Sequence, residues 1–150
     1  MRRMKIQNNE TLLPFQPPHM DTVTGLATFG DYLISGSKDK NLRLWSLETS
    51  MFNLKSTVHS FNDYITCVQN DDYLPLFYAS DRSGQIKIGT VIKEKIEFVG
   101  GILAHSQQIN AICKLNASPR RGLFATGSSD KSIKLWRPSG QTLEHILNDY

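Results

Sequence analysis

Three side-chain types that build a serine-hydrolase site stand in one stretch of this chain: His19, Ser35 and Asp39, with Trp45 just beyond. A Ser hydroxyl activated by a His that an Asp orients is a nucleophile for acyl transfer. The set recurs, however. His105, Thr126, Asp130 and Trp136 follow in the same order, and Trp45 and Trp136 are 91 positions apart. A hydrolase needs one such site, whereas a set that returns with the chain's own period belongs to the architecture. The structural reading is preferred for all eight residues, and no catalytic residue is assigned.

Other chemistries fare no better. Gly100-Gly101 has no Lys-Ser or Lys-Thr behind it, so no P-loop is expected. His59 and His105 precede different repeats and lack metal-ligand spacing. Cys67 and Cys113 fall on first strands at non-equivalent positions. They read as small buried residues, with neither a disulfide nor a metal site implied. No cofactor is expected.

The elements that position these residues are repeated. Leu33-Ile-Ser-Gly-Ser-Lys-Asp39-Lys-Asn-Leu-Arg-Leu-Trp45 returns as Leu123-Phe-Ala-Thr-Gly-Ser-Ser-Asp130-Lys-Ser-Ile-Lys-Leu-Trp136. A worn copy, Phe77-Tyr-Ala-Ser-Asp-Arg-Ser83-Gly-Gln-Ile-Lys-Ile-Gly89, lies between. Trp45 to Gly89 is 44 residues and Gly89 to Trp136 is 47, and a histidine (His19, His59, His105) precedes each copy. Periods of this size mark stacked structural units. Within each unit the apolar residues alternate as in strands. First strands open at Val23, Ile65 and Ile109, and the copies themselves supply a second and a third strand. A fourth follows at Phe52–Thr57, Lys95–Val99 and Thr142–Leu147. Between the second and third strands, Gly-Ser-x-Asp-Lys has turn chemistry.

Four short strands per unit, with this His, Asp and Trp, resemble the WD40 blade of a β-propeller. The resemblance covers residues from about 12 to 147. Its Gly-His and Trp-Asp pairs are replaced by Pro18-His19, Val58-His59 and Ala104-His105, and by Trp45-Ser46, Gly89-Thr90 and Trp136-Arg137. It implies an all-β fold of three consecutive four-stranded blades, the C-terminal part of a propeller. The blades would span 19–58, 59–104 and 105–150. Residues 1–18 would hold the fourth strand of a preceding incomplete blade, at Thr11–Phe15. In this family the loop His, a second-strand Ser or Thr, the turn Asp and the third-strand Trp form a hydrogen-bonded chain that fixes the blade. The middle unit has Gly89 and Ser83 where the Trp and Asp belong, so it is expected to be the least stable. Pro17-Pro-His-Met-Asp-Thr-Val-Thr-Gly-Leu26, the Leu33–Asp39 string and Ile109-Asn-Ala-Ile-Cys113 resemble the last blades of the C-terminal propeller of kinesin-4 family motors.

Size and charge add bounds. Propellers close with about 4–8 blades, so three leave apolar faces bare. The chain is therefore expected to need further blades, from a longer chain or from another copy. Net charge is +3, from 17 basic and 14 acidic residues, and Arg2, Arg3 and Lys5 account for the excess. The neutral remainder speaks against nucleic-acid binding. No apolar run reaches membrane-spanning length, and a reducing, cytoplasmic setting is expected.

If the chain recognises a partner, it should do so on loops held by the sheets. The resemblance places on the top face of the propeller Thr22, Thr24 and Lys38 from the first unit. It adds Tyr64, Thr66 and Arg82 from the second, and Gln108, Asn110 and Ser129 from the third. Arg120 and Arg121, on a loop of the opposite face, could meet an acidic partner such as a tubulin tail. The expected function is a non-enzymatic protein-interaction scaffold, the tail propeller of a kinesin-like motor that binds cargo, regulators or microtubules. The rival is an adaptor or substrate-receptor propeller of a ligase or phosphatase complex.

Overall fold

The computed structural model describes residues 15–48, 52–116, 122–139 and 142–146. Within them the chain forms twelve strands and no helix. The first sheet holds β1 (Val23–Phe29), β2 (Tyr32–Ser37), β3 (Leu42–Ser46) and β4 (Asn53–Val58). The second holds β5 (Ile65–Asn70), β6 (Phe77–Asp81), β7 (Gln85–Ile92) and β8 (Lys95–Leu103). The third holds β9 (Ile109–Leu115), β10 (Leu123–Ser128), β11 (Ile133–Ser139) and β12 (Thr142–Ile146). Each sheet is an antiparallel meander, with neighbours in chain order. The three expected four-stranded units are thus the observed ones, and they form an open arc.

Local chemistry fixes the turns. Lys40, Gly84 and Lys131 take φ of 73°, 95° and 77° at the same place in the three β2–β3-type turns. Asp39 and Asp130 hold the outer turns by accepting the amides of Asn41 and Ser132, each at 2.9 Å. The middle turn also has its acid, two residues earlier than expected. Asp81 Oδ1 accepts the amides of Ser83 and Gln85 at 2.9 and 3.1 Å, and the Ser83 hydroxyl at 2.6 Å. The β7–β8 hairpin runs to Leu103, four residues past the expected end. Its tip residues Lys93 and Glu94 have φ of 52° and 63°, the left-handed pair that suits a two-residue hairpin.

The sheets stack face to face, with β1, β5 and β9 neighbouring one another along one edge. Ile34, Leu42, Leu44, Ile65, Phe77 and Ala79 form the core between the first two sheets. Tyr78, Ile86, Ile88, Ile109, Phe124 and Trp136 form that between the last two. Strand alternation sends successive side chains of β6 into different cores: Phe77 and Ala79 to one, Tyr78 to the other.

Two readings need correction. Cys67 is half-buried, but Cys113 is exposed, because its side of the third sheet has no sheet over it. His59 is exposed and bonds back to Asn41 Oδ1 of the preceding unit at 2.7 Å, so it does not start the second unit as His19 and His105 start theirs. The Thr11–Phe15 strand falls on residues of which only Phe15 is described. Phe15 stacks on Phe52 and meets the Trp45 ring edge-on.

Candidate functional site

The two buried polar sets share one geometry. Trp45 Nε1–H donates to Ser35 Oγ at 2.9 Å, and Ser35 Oγ lies 2.7 Å from His19 Nε2. His19 Nδ1 lies 2.9 Å from Asp39 Oδ2, which also accepts the Met20 amide at 2.9 Å. In the third sheet, Trp136 donates to Thr126 Oγ1 at 2.9 Å, Thr126 meets His105 Nε2 at 2.7 Å, and His105 Nδ1 meets Asp130 Oδ2 at 3.0 Å. The carboxylate only accepts, so Nδ1 carries the proton that faces it; in the neutral imidazole Nε2 then accepts from the hydroxyl, which itself accepts from the indole.

Burial alone would push the Asp39 carboxyl up, but the Met20 amide, His19 and the Asn41 amide outweigh it and hold it below the ordinary range. Asp130 is held well below that range, chiefly by the Ser132 hydroxyl. The hydroxyl, imidazole and carboxylate stand in the order of a hydrolase triad. Yet Ser35 and Thr126 are only 4% and 1% exposed, and the indole N–H already occupies each hydroxyl. The arrangement ties the loop before the first strand to the second and third strands.

The second sheet fills the His, hydroxyl and Trp places without polar side chains. Counting back from the strand-opening residues, His19 and His105 stand four before Val23 and Ile109; four before Ile65 stands Phe61, which is 2% exposed. Ala79 pairs with Lys87 as Ser35 pairs with Arg43, so it holds the hydroxyl's place. Gly89 holds the place of the Trp, and a side chain there would run into the Phe77 ring. Phe61 also meets Phe98 edge-on, with centroids 5.8 Å apart.

A row of cations was missed in the sequence. Arg43, Lys87 and Lys134 each stand two residues before Trp45, Gly89 and Trp136. Each reaches a carbonyl of the loop that leads into its own sheet: Pro17 O at 2.5 Å, Ser60 O at 2.6 Å and Ala104 O at 2.8 Å. Lys87 Nζ also lies 5.1 Å from the centroids of both Phe61 and Phe98. The regular spacing was the available signal.

The loops at the other end of these connections converge. Lys38 N donates to Thr22 O, Arg82 N to Tyr64 O and Ser129 N to Gln108 O, all at 2.9 Å. One backbone bond per sheet therefore clips the turn to the loop before the first strand. A cleft of about 400 Å³ lies across the three sheets, lined by Thr24, Lys38, Tyr64, Ile65, Thr66, Arg82, Gln108 and Asn110. Seven of the nine expected top-face residues thus meet there. Thr22 and Ser129 lie outside it, although Asn110 Nδ2 donates to Ser129 Oγ at 3.1 Å. Tyr64 is 36% exposed, with Lys38 Nζ 5.7 Å and Arg82 Cζ 5.5 Å from its ring centroid. Thr24 Oγ1 lies 2.5 Å from Ile65 O, which fixes the first sheet to the second at the cleft floor. Among the described residues, no acidic side chain lines this cleft. Arg120 and Arg121 lie outside the described residues.

Comparison with known proteins gives this architecture a context. A protein-family model described as "WD domain, G-beta repeat" matches residues 11–46 and 97–137. The human kinesin-like protein KIF21B is 34% identical over 122 residues, which are 81% of this chain and 7% of that protein. Human KIF21A is 28% identical over 123 residues, 82% of this chain and again 7% of the relative. Protein hir1 of Schizosaccharomyces pombe is 29% identical over an alignment that covers 90% of this chain and 16% of the relative. The chain therefore spans a small fraction of these curated relatives. Among solved structures, Saccharomyces cerevisiae Sqt1 superimposes with a TM-score of 0.71 at 15% identity, over 85% of this chain and 35% of that one. The computationally designed Ika4 protein gives 0.72 at 18% identity, over 92% of this chain and 79% of that one.

Proposed function

From the premise that this chain belongs to the WD40 family of G-beta repeats, we propose that it is a non-enzymatic protein-interaction module whose working surface is the Lys38–Tyr64–Arg82 cleft. One observation carries this reading: an exposed tyrosine is flanked by two cations, Arg82 from the β6–β7 turn of its own sheet and Lys38 from the β2–β3 turn of the first, in a cleft that no carboxylate lines among the described residues. Tyrosine and arginine are the types that dominate binding energy at interfaces. The rigid sheets beneath keep the ordering cost of the loops low. Two cations beside an aromatic face suit an acidic peptide segment.

The finer reading is that the module is part of the tail propeller of a kinesin-like microtubule motor. It works in the cytoplasm on the cytoskeleton, where it binds cargo, regulators or the acidic tails of tubulin. Similarity to KIF21B and KIF21A over four-fifths of the chain supports this. Co-sedimentation of the chain with microtubules tests it. Pelleting at low salt that weakens as salt rises, and is lost in Lys38→Glu/Arg82→Glu, is the expected result. Pelleting unchanged by the double variant would take the cleft out of the interaction. Absence of pelleting at low salt would remove direct lattice contact. The match to Protein hir1 favours, as the second reading, an adaptor propeller unrelated to microtubules.

A further inference from the structure

The third sheet presents a face that the other two sheets bury. Strand pairing sets Leu42 opposite Gly36, Ile86 opposite Ser80 and Ile133 opposite Gly127, so the three aliphatic residues occupy one position of the repeat. Leu42 and Ile86 are 0% exposed, whereas Ile133 is 79% exposed. Its surroundings are Ala111, opposite Gly127, and Cys113, opposite Ala125. Cys113 is exposed, while its counterpart Ala27, opposite Ile34, is buried.

Gly127 shows what this face is shaped for. It lies inside β10, has no positive φ, and a Cβ built on it meets nothing within 4 Å. Among the described residues, then, none comes close enough to require a glycine there. Its counterpart Gly36 has a reason: a Cβ there would lie 2.6 Å from Ile65 Cγ2 and 2.9 Å from Val68 Cγ2 of the covering sheet. Glycine inside a strand often marks a bulge, a bend or a close approach by another element; the register shift beside Gly127 recurs beside Ser80 in the second sheet, so the shift itself does not call for glycine. Gly127 leaves the same space for a first strand with aliphatic groups at the Ile65 and Val68 positions.

The chain carries that strand at its other side. Val23 pairs with Ser37 and Leu26 with Ser35, as Ile65 pairs with Asp81 and Val68 with Ala79. Ile65 and Val68 are 0% and 8% exposed; Val23 and Leu26 are 48% and 60% exposed. Both halves of the contact that joins the sheets within the chain are thus repeated, uncovered, on its two outer faces.

We infer that the open face of the third sheet takes β1 of a second copy of this chain, with Val23 and Leu26 of that copy seated over Gly127 and Ile133. The contact continues the two inter-sheet interfaces already present. It is head-to-tail, so it must close on itself to stay finite. Two copies bring together six sheets, within the about 4–8 typical of closed propellers.

Analytical ultracentrifugation of the full chain at micromolar concentration tests the inference. The expected species has twice the 17.0 kDa mass of one chain, with Cys113 protected from alkylation. Gly127→Val fits the single chain and blocks the approach, so the dimer should be lost and Cys113 should become reactive while the β-sheet circular dichroism is kept. Leu26→Lys, on the exposed face of the other strand, should give the same loss and serves if Gly127→Val misfolds. A wild-type chain that stays monomeric, or a dimer that survives either folded variant, overturns the inference.

Discussion

Thr126 Oγ1 is shared between two partners, the Trp136 indole N–H at 2.9 Å and His105 Nε2 at 2.7 Å, and it is the hinge of the buried polar chain. Thr126→Val keeps the shape but takes the hydroxyl away from both nitrogens. A buried group that loses its partner costs about 1–3 kcal/mol. We expect the unfolding free energy from urea titration to fall by an amount in that range for each group that loses the hydroxyl, and Thr126→Ser to restore most of it. Asp130→Asn and Trp136→Ala should destabilise as well. Unchanged melting in all of these would remove the chain's structural role.

Acid should unfasten the first sheet. The Asp39 carboxyl is pushed up by burial but held below its ordinary 3.8 by the Met20 amide, His19 and the Asn41 amide. A carboxyl whose folded pKa lies below its unfolded one contributes stability above the unfolded value and loses it as pH falls through the folded value. Thermal unfolding should therefore show stability declining as pH falls below about 4, with a shallower decline in Asp39→Asn. Parallel acid limbs for the two proteins would mean that Asp39 is not the group responsible.

Phe61 should matter as much to the second sheet as the polar chain does to its neighbours. Truncating a buried Phe to Ala costs about 3–5 kcal/mol. Phe61→Ala should lower the denaturant midpoint accordingly. Phe61→His should not rescue it, because Ala79 offers no hydroxyl and Ser83 no carboxylate. A fully stable Phe61→His variant would show that the second sheet can rebuild the polar chain.

The cation row predicts a smaller, repeated effect. Lys134 Nζ donates to Ala104 O at 2.8 Å, next to His105. Hydrogen bonds to charged groups contribute about 1.5–3 kcal/mol. Lys134→Met should destabilise by up to that amount and speed amide exchange at Ala104 and His105, while Lys134→Arg keeps the bond. Exchange at these amides unchanged in Lys134→Met would assign the stabilisation elsewhere.

Much of this protein is determined by its sequence alone. Period-2 alternation, Gly-Ser-x-Asp turns and the recurring Trp are local, and the hydrogen bonds they form close within one unit, so twelve strands in three units were legible before any contact was known. The types of the polar chain were legible for the same reason, since each recurs at fixed distances from its own strands. Only the tertiary structure decided which residue fills each place where loop length varies. His59 looked like the third member of its series, but register is set by distance to the strand-opening Ile65, and that count selects Phe61. The tertiary structure likewise decided that Asp81, and not position 83, caps the middle turn. It brought Lys38, Tyr64 and Arg82 to one cleft, because sheets stacked face to face align loops that the chain keeps far apart. It alone separated Cys113 from Ala27 and Ile133 from Leu42. Burial depends on which sheet lies over a residue, and no local pattern records that.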